Sequence, residues 1–148
     1  MTSLLLAALL SVPAAATKIQ PAPLARLVRD ADYVLVGTVD EVTMVDVNGG
    51  RVVDPEARTG PGSGNTIRLH VVFGADAALK AAGPVPKELL VPEWRMWHRT
   101  LDLRKADMEG KRFIFLLDKD LSPVSEPESV RSYGERAKIE KLLLKKAP

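Results

Sequence analysis

Six consecutive residues, Trp94-Arg95-Met96-Trp97-His98-Arg99, hold both tryptophans of the chain and interleave them with two arginines. Trp and Arg are among the side chains most enriched where binding energy concentrates. A guanidinium over an indole face adds a cation–π contact. Trp94, Arg95, Trp97, His98 and Arg99 are therefore the candidate contact residues for a protein or a small anionic ligand. The same composition has a second reading, in which one Trp closes an end of the fold with an Arg across its face, because large aromatics are mostly buried. Stacking of single-stranded nucleic acid is a third use of such residues. Against it, 21 basic and 19 acidic residues leave a net charge of +2, which is no nucleic-acid footprint.

Other chemistry-bearing residues are sparse. His70 and His98 stand 28 residues apart, with no H-x-H or H-E-x-x-H spacing. A catalytic zinc takes three protein ligands, so a carboxylate such as Asp102 or Asp107 would have to complete the set. A surface histidine on a strand and another in a loop account for the pair without metal. Asp40 and Glu41 are neighbours in an extended segment and should face opposite ways. Asp118 and Asp120 could share a face, but they lie where a strand ends in a solvated, Lys-containing turn. The glycines of the Gly60–Gly64 loop do not form a phosphate loop, which needs Lys-Ser/Thr after the last Gly and a helix beyond; here Asn65-Thr66 leads into a strand. Ser63 has Pro61 and Asn65 where a nucleophile elbow has glycines.

The chain has no cysteine, which excludes disulfides, thiol catalysis and cysteine-ligated metal. With no recognisable nucleophile–base pair or metal set, the expected function is a non-catalytic binding module without a cofactor. Two other classes remain open: a hydrolase-type enzyme whose site is scattered along the sequence, and a structural periplasmic subunit.

Residues 1–16 have the form of an export signal. Leu4 to Leu10 is apolar, Pro13 breaks the run, and Ala14-Ala15-Ala16 offers the small residues that a signal peptidase reads, although Met1-Thr2-Ser3 supplies no basic side chain. The run is too short to span a bilayer. Cleavage after Ala16 removes sixteen of the 148 residues and leaves 132, enough for one domain over residues 17–148. The expected location is periplasmic or secreted, with no stable membrane anchor once the signal is gone. The basic residues from Lys138 to Lys146 read as the solvated back of a helix rather than a membrane contact.

The elements that must position these residues begin at Tyr33-Val-Leu-Val-Gly-Thr-Val-Asp-Glu-Val42. Val34 and Val36 should face one way and Tyr33, Leu35 and Val39 the other, so this strand is central, with Gly37 placed to bend it. Before it, Pro23 and the apolar positions Leu24, Leu27, Val28 and Ala31 predict a two-turn helix across one end of the fold. Asn48-Gly49 predicts a hairpin turn returning through Arg51-Val52-Val53. A loop without core residues follows over residues 54–65. Ile67, Leu69, Val71 and Phe73 alternate inward against outward Arg68 and His70. Asp76 to Ala82 reads as a short helix with Asp76 as N-cap, Gly83 at C′ and Pro84 beyond. A short strand spans Glu88 to Val91 and ends at Pro92. Residues 93–109 give no clear pattern. Lys111 to Leu117 is a second strand apolar on both faces, Ser122 to Ser129 a linker, and Glu135 to Lys146 an amphipathic helix carrying Ile139, Leu142 and Leu143.

The resulting order is five strands with a short helix between the third and fourth, a mainly β, OB-like closed or partly open barrel. YVLVGTVDEV, IRLHVVFGADAALK and KRFIFLL together resemble the netrin-like, or tissue-inhibitor-of-metalloproteinases-like, OB barrels of small exported proteins, over about Ala31 to Leu117. The resemblance implies a fold. It does not carry the inhibitory mechanism, because those inhibitors reach zinc through an N-terminal cysteine and this chain would begin at Thr17.

Overall fold

The computed structural model describes residues 22–60, 62–93, 100–126 and 128–145. The expected export signal and the Trp94–Arg99 segment lie outside them.

The chain is organised on β1 (Tyr33–Val45), whose side chains divide between two cores. Tyr33, Leu35, Val39, Val42 and Met44 enter an inner cluster, while Val34 and Val36 join an outer one. This is the alternation expected of a strand covered on both faces. At Asp46 to Gly50 the chain reverses, with Gly49 at φ 82° and Asp46 Oδ1 accepting from the Asn48 and Gly50 N–H groups at 2.8 Å. It returns as β2 (Arg51–Val52), paired to Met44 and Val45.

β3 (Thr66–Ala81) pairs antiparallel with β1, β4 (Glu88–Glu93) with β3, β5 (Arg112–Leu117) with the other side of β1, and β6 (Val130–Ser132) with β5. The sheet is six-stranded and antiparallel, in the order β4-β3-β1-β5-β6, with β2 branching from β1. No ladder joins β4 to β6 among the described residues, so the sheet is not closed. The mainly β class expected from sequence holds, with six strands where five were expected and without closure into a barrel by hydrogen bonding. Its two ends nevertheless flank one crevice, lined by Pro92 and Glu93 from β4 and by Ser129 and Val130 at β6.

Helices cover both faces. α2 (Leu101–Met108) buries Leu101 and Met108 in the inner cluster, beside the edge-to-face pair Phe73–Phe115 at 6.1 Å. α1 (Leu24–Asp30) and α3 (Arg136–Leu144), the latter entered through a 3-10 turn at Tyr133–Glu135, bury Leu27, Val28 and Ile139 over Val34, Val36, Ile114 and Leu116. α1 therefore lies on the outer face rather than across an end. Arg26 and Asp30, one helical turn apart on its exposed side, pair at 3.4 Å.

Four further expectations change. Asp76 to Ala82 is not a helix: β3 continues to Ala81, and Lys80 Nζ donates to the Ala31 carbonyl. Pro92 does not end its strand, because β4 is an edge whose missing N–H is tolerated. The stretch beyond residue 93 contains α2, and a sixth strand follows the 122–129 linker. The loop at residues 54–65 does contribute to the core, since Ala57 packs against the inner cluster and Thr59 is buried. Its carbonyls at Ala57 and Pro55 accept from the Leu101 and Asp102 N–H groups, satisfying donors that the first turn of α2 leaves open.

Gly37 is where β1 and β3 come closest. A Cβ there would stand 2.4 Å from Val71 Cγ1 and 2.8 Å from Phe73 Cε1. Both neighbours are buried core side chains with little room to retreat. Gly37→Ala is expected to lower the unfolding free energy by about 1–3 kcal/mol, the usual cost of overpacking, in urea denaturation. An unchanged midpoint would mean that β3 can withdraw freely.

Candidate functional site

Trp94, Arg95, Trp97, His98 and Arg99 lie outside the described residues, but the chain on either side is fixed in place. Glu93 ends β4 and is 2 % exposed; Thr100 begins α2 and is 6 % exposed. Thr100 Oγ1 accepts from the Leu103 N–H at 3.3 Å as the N-cap. Glu93 meets Arg104 of α2 in a two-pronged ion pair: Arg104 Nε donates to Oε2 at 2.8 Å, and Nη2 donates to Oε1. Both side chains are nearly sealed from solvent. A buried pair of this kind balances large desolvation costs against strong attraction, so its removal as a whole can be nearly neutral while the loss of one partner is severe.

Glu126, more than a third exposed, borders the same crevice as Glu93. Partial burial, and then the Glu93 charge, push its carboxyl above the ordinary glutamate range. Its folded value exceeds its unfolded value. Its favourable contribution is thus complete at acid pH and lost as pH rises through the folded value.

A second candidate surface is the part of the outer face that α1 and α3 leave uncovered. Across it the register sets Glu88 of β4 opposite Val72 of β3, Val72 opposite Thr38 of β1, and Thr38 opposite Arg112 of β5. These four side chains form one row across four strands, roughly 14 Å from end to end at the usual strand spacing. Val72 and, one step along, Leu90 are exposed apolar side chains on this face. Two open hollows adjoin the row. One, about 310 Å³, is lined by Asp40, His70, Val72, Glu88 and Leu90; the other, about 300 Å³, by Thr38, Val72, Asp76 and Arg112 among others.

The carboxylates and histidines fall out as follows. His70 faces outward as expected, with Nε2 3.4 Å from Thr43 Oγ1. Asp40 and Glu41 do not face opposite ways. Val39 pairs with Val71 and Glu41 with His70, so Asp40 is the extra residue of a bulge, and both acids leave the core side. Asp40 borders the His70 hollow, whereas Glu41 pairs with Arg51 at 2.5 Å. Asp118 Oδ1 accepts from the Asp120 and Ser122 N–H groups, a turn role. Asp102 and Asp107 lie on α2, and His98 is outside the described residues. Among the described residues no group of three His, Asp or Glu side chains is placed to hold a metal ion, and no helix is long and apolar enough to cross a membrane.

The sequence reading missed the Glu93–Arg104 pair and the Arg112 row. Only the second left a trace, as the outward positions of two recognised strands. Comparison of the chain with protein-family models, with curated proteins and with solved structures found no match.

Arg104→Met is expected to cost about 3–5 kcal/mol of unfolding free energy by taking the guanidinium away from the buried Glu93 carboxylate; a loss below about 1 kcal/mol would mean that the pair contributes no more than an exposed one. Glu126→Gln is expected to raise the Tm slightly at about pH 7, with the gain fading towards about pH 4, where the native carboxyl is itself protonated. A gain that grew on acidification would reverse the assigned sign.

Proposed function

We propose that this chain is an exported, non-catalytic binding module on an OB-like barrel that meets a protein or a small anionic ligand through Trp94, Arg95, Trp97, His98 and Arg99. The observation that carries this reading is the anchorage of the segment at both ends. Glu93 is tied to Arg104, Thr100 caps α2, and a bridge pairs Arg58 with Thr100. Fixed ends lower the ordering cost that a contact loop must meet on binding.

The OB-like part is supported by the connectivity. Without the small β2, five strands follow one path, α2 enters between the third and the fourth, and the end strands face one crevice. A partly open, five-stranded barrel has this form. The similarity to netrin-like domains belongs to the same proposal. Export rests on the apolar leader, and an exported chain without cysteine fits a bacterial periplasm better than a disulfide-built secreted domain.

The two tryptophans are the protein's only indoles, so its tryptophan fluorescence reports on this segment alone. In the Trp94→Ala/Arg95→Ala/Trp97→Ala variant, capture of partners from a periplasmic extract is expected to vanish while unfolding free energy changes by less than about 1 kcal/mol. The wild-type indoles are expected to be readily quenched by acrylamide. Poor quenching together with a loss of about 3–5 kcal/mol in the variant would make the tryptophans core and overturn the reading.

A further inference from the structure

β3 leaves the sheet briefly, just beyond its closest approach to β1. Phe73 pairs with Gly37 and Ala78 with Leu35, so four residues of β3, Gly74 to Ala77, stand against the single residue Val36. On the other side the β4 ladder ends at Val72–Glu88. Gly74, Ala75, Asp76 and Ala77 therefore have no ladder partner on either neighbouring strand. Bulges of this kind re-aim side chains and gather beside binding sites. The arc opens the hollow of about 300 Å³ between β3 and the Thr38–Arg112 pair, at the small end of the ~300–1,000 Å³ range of ligand pockets.

The hollow holds two opposite charges that do not meet. Asp76 and Arg112 both line it, yet among the described residues neither forms an ion pair. The arginines nearby are occupied: Arg131 is paired with Glu135 and Arg136 with Glu140, each at 2.7 Å. Arg112 instead sits over the Tyr133 ring, its Cζ 4.4 Å from the centroid, and Arg136 Nη1 donates to the Tyr133 hydroxyl at 3.0 Å. The cation–π contact restrains the Arg112 guanidinium without using its N–H donors, which are left for an oxyanion that they can grip with two parallel bonds. Thr38, its cross-strand neighbour, adds a hydroxyl. Val36, Val72 and Ala75 supply apolar surface, and a Cβ added at Gly74 would meet nothing within 4 Å.

A fixed cation, an unpaired carboxylate and an apolar floor in one small hollow suit a molecule that carries a carboxylate, an ammonium and a short hydrocarbon. We propose that the hollow at the Gly74–Ala77 bulge binds a free α-amino acid with an aliphatic side chain, its carboxylate on Arg112 and Thr38, its ammonium on Asp76. The proposal uses none of the residues Trp94 to Arg99.

The test is a titration of the isotopically labelled protein with L-leucine, with 4-methylpentanoate (leucine without its amine) and with 3-methylbutylamine (leucine without its carboxylate), followed by amide NMR. Leucine is expected to shift the Thr38 and Gly74 to Ala77 amides with a Kd of about 1 mM or tighter. Each analogue should bind at least about fivefold more weakly. Arg112→Gln should weaken leucine at least about tenfold, and Asp76→Asn should abolish the preference for leucine over 4-methylpentanoate. Gly74→Val, which fills the hollow with an acceptable strand residue, should abolish binding with the rest of the amide spectrum retained. The proposal is overturned if these amides stay fixed up to about 20 mM leucine, if Gly74→Val binds as well as the parent, or if 4-methylpentanoate matches leucine. Because the indoles are not involved, a failure here and a failure of the Trp–Arg reading are read on different signals.

Discussion

The absence of a side chain at Gly37 is the constraint on which most of this architecture turns. Val71 and Phe73 occupy the space that a Cβ would take, so β3 crosses β1 at a distance no other residue permits. All three of the register shifts between the two strands fall between Val34 and Glu41. Shifts of this kind bend and twist a sheet, and this one carries β4 round to the crevice it shares with Ser129 and Val130. The Gly74–Ala77 arc is the other side of the same geometry: having been drawn in at Phe73, β3 swings out before rejoining β1 at Ala78.

Within that frame the Glu93–Arg104 pair does a different job. Two apolar residues in its place could be as stable, so its value lies elsewhere than in net energy. An apolar contact could slide, whereas a two-pronged guanidinium–carboxylate bond has one good alignment. It sets the end of the edge strand against one face of α2. The two residues that bound the Trp–Arg stretch, Glu93 and Thr100, are thereby both held at α2.

Much of this was legible in the chain, and the exceptions have physical causes. Strands covered on both faces announce themselves by unbroken apolar runs, as at Tyr33 to Val36 and Phe113 to Leu117, and the α1 stripe survives because nothing polar interrupts it. α2 was hidden by its best-buried polar residue. Leu101, Arg104 and Met108 form its inward face, and an arginine in an apolar stripe reads as a break unless the glutamate eleven residues upstream is known to meet it. Asp76 to Ala82 failed in the opposite sense. Aspartate before alanines is a good helix start, but Ala77 is 3 % exposed and Ala78, Lys80 and Ala81 are held by the β1 ladder, so pairing overrode local propensity. β6 has three residues, too few for any period. The candidate Trp–Arg site was visible as composition, while the Arg112 row needed the register between strands that are distant in sequence.

The three arginines around Tyr133 show how position along a ladder decides which charge is available. Arg131 stands on β6 four residues before Glu135, and Arg136 four residues before Glu140 on α3, so local spacing gives each a partner. Arg112 is on β5, where a residue four positions on lies about 13 Å away, and its cross-strand neighbour is uncharged Thr38. It is therefore held by an aromatic face rather than by a carboxylate. A cation restrained by a cation–π contact has already lost much of the side-chain freedom that binding would cost it, and it keeps its hydrogen-bond donors. A cation neutralised by a glutamate would have to give that glutamate back to water first. On this outer face, then, the difference between a structural arginine and one free to act follows from whether its neighbours come from a helix turn or from a strand register.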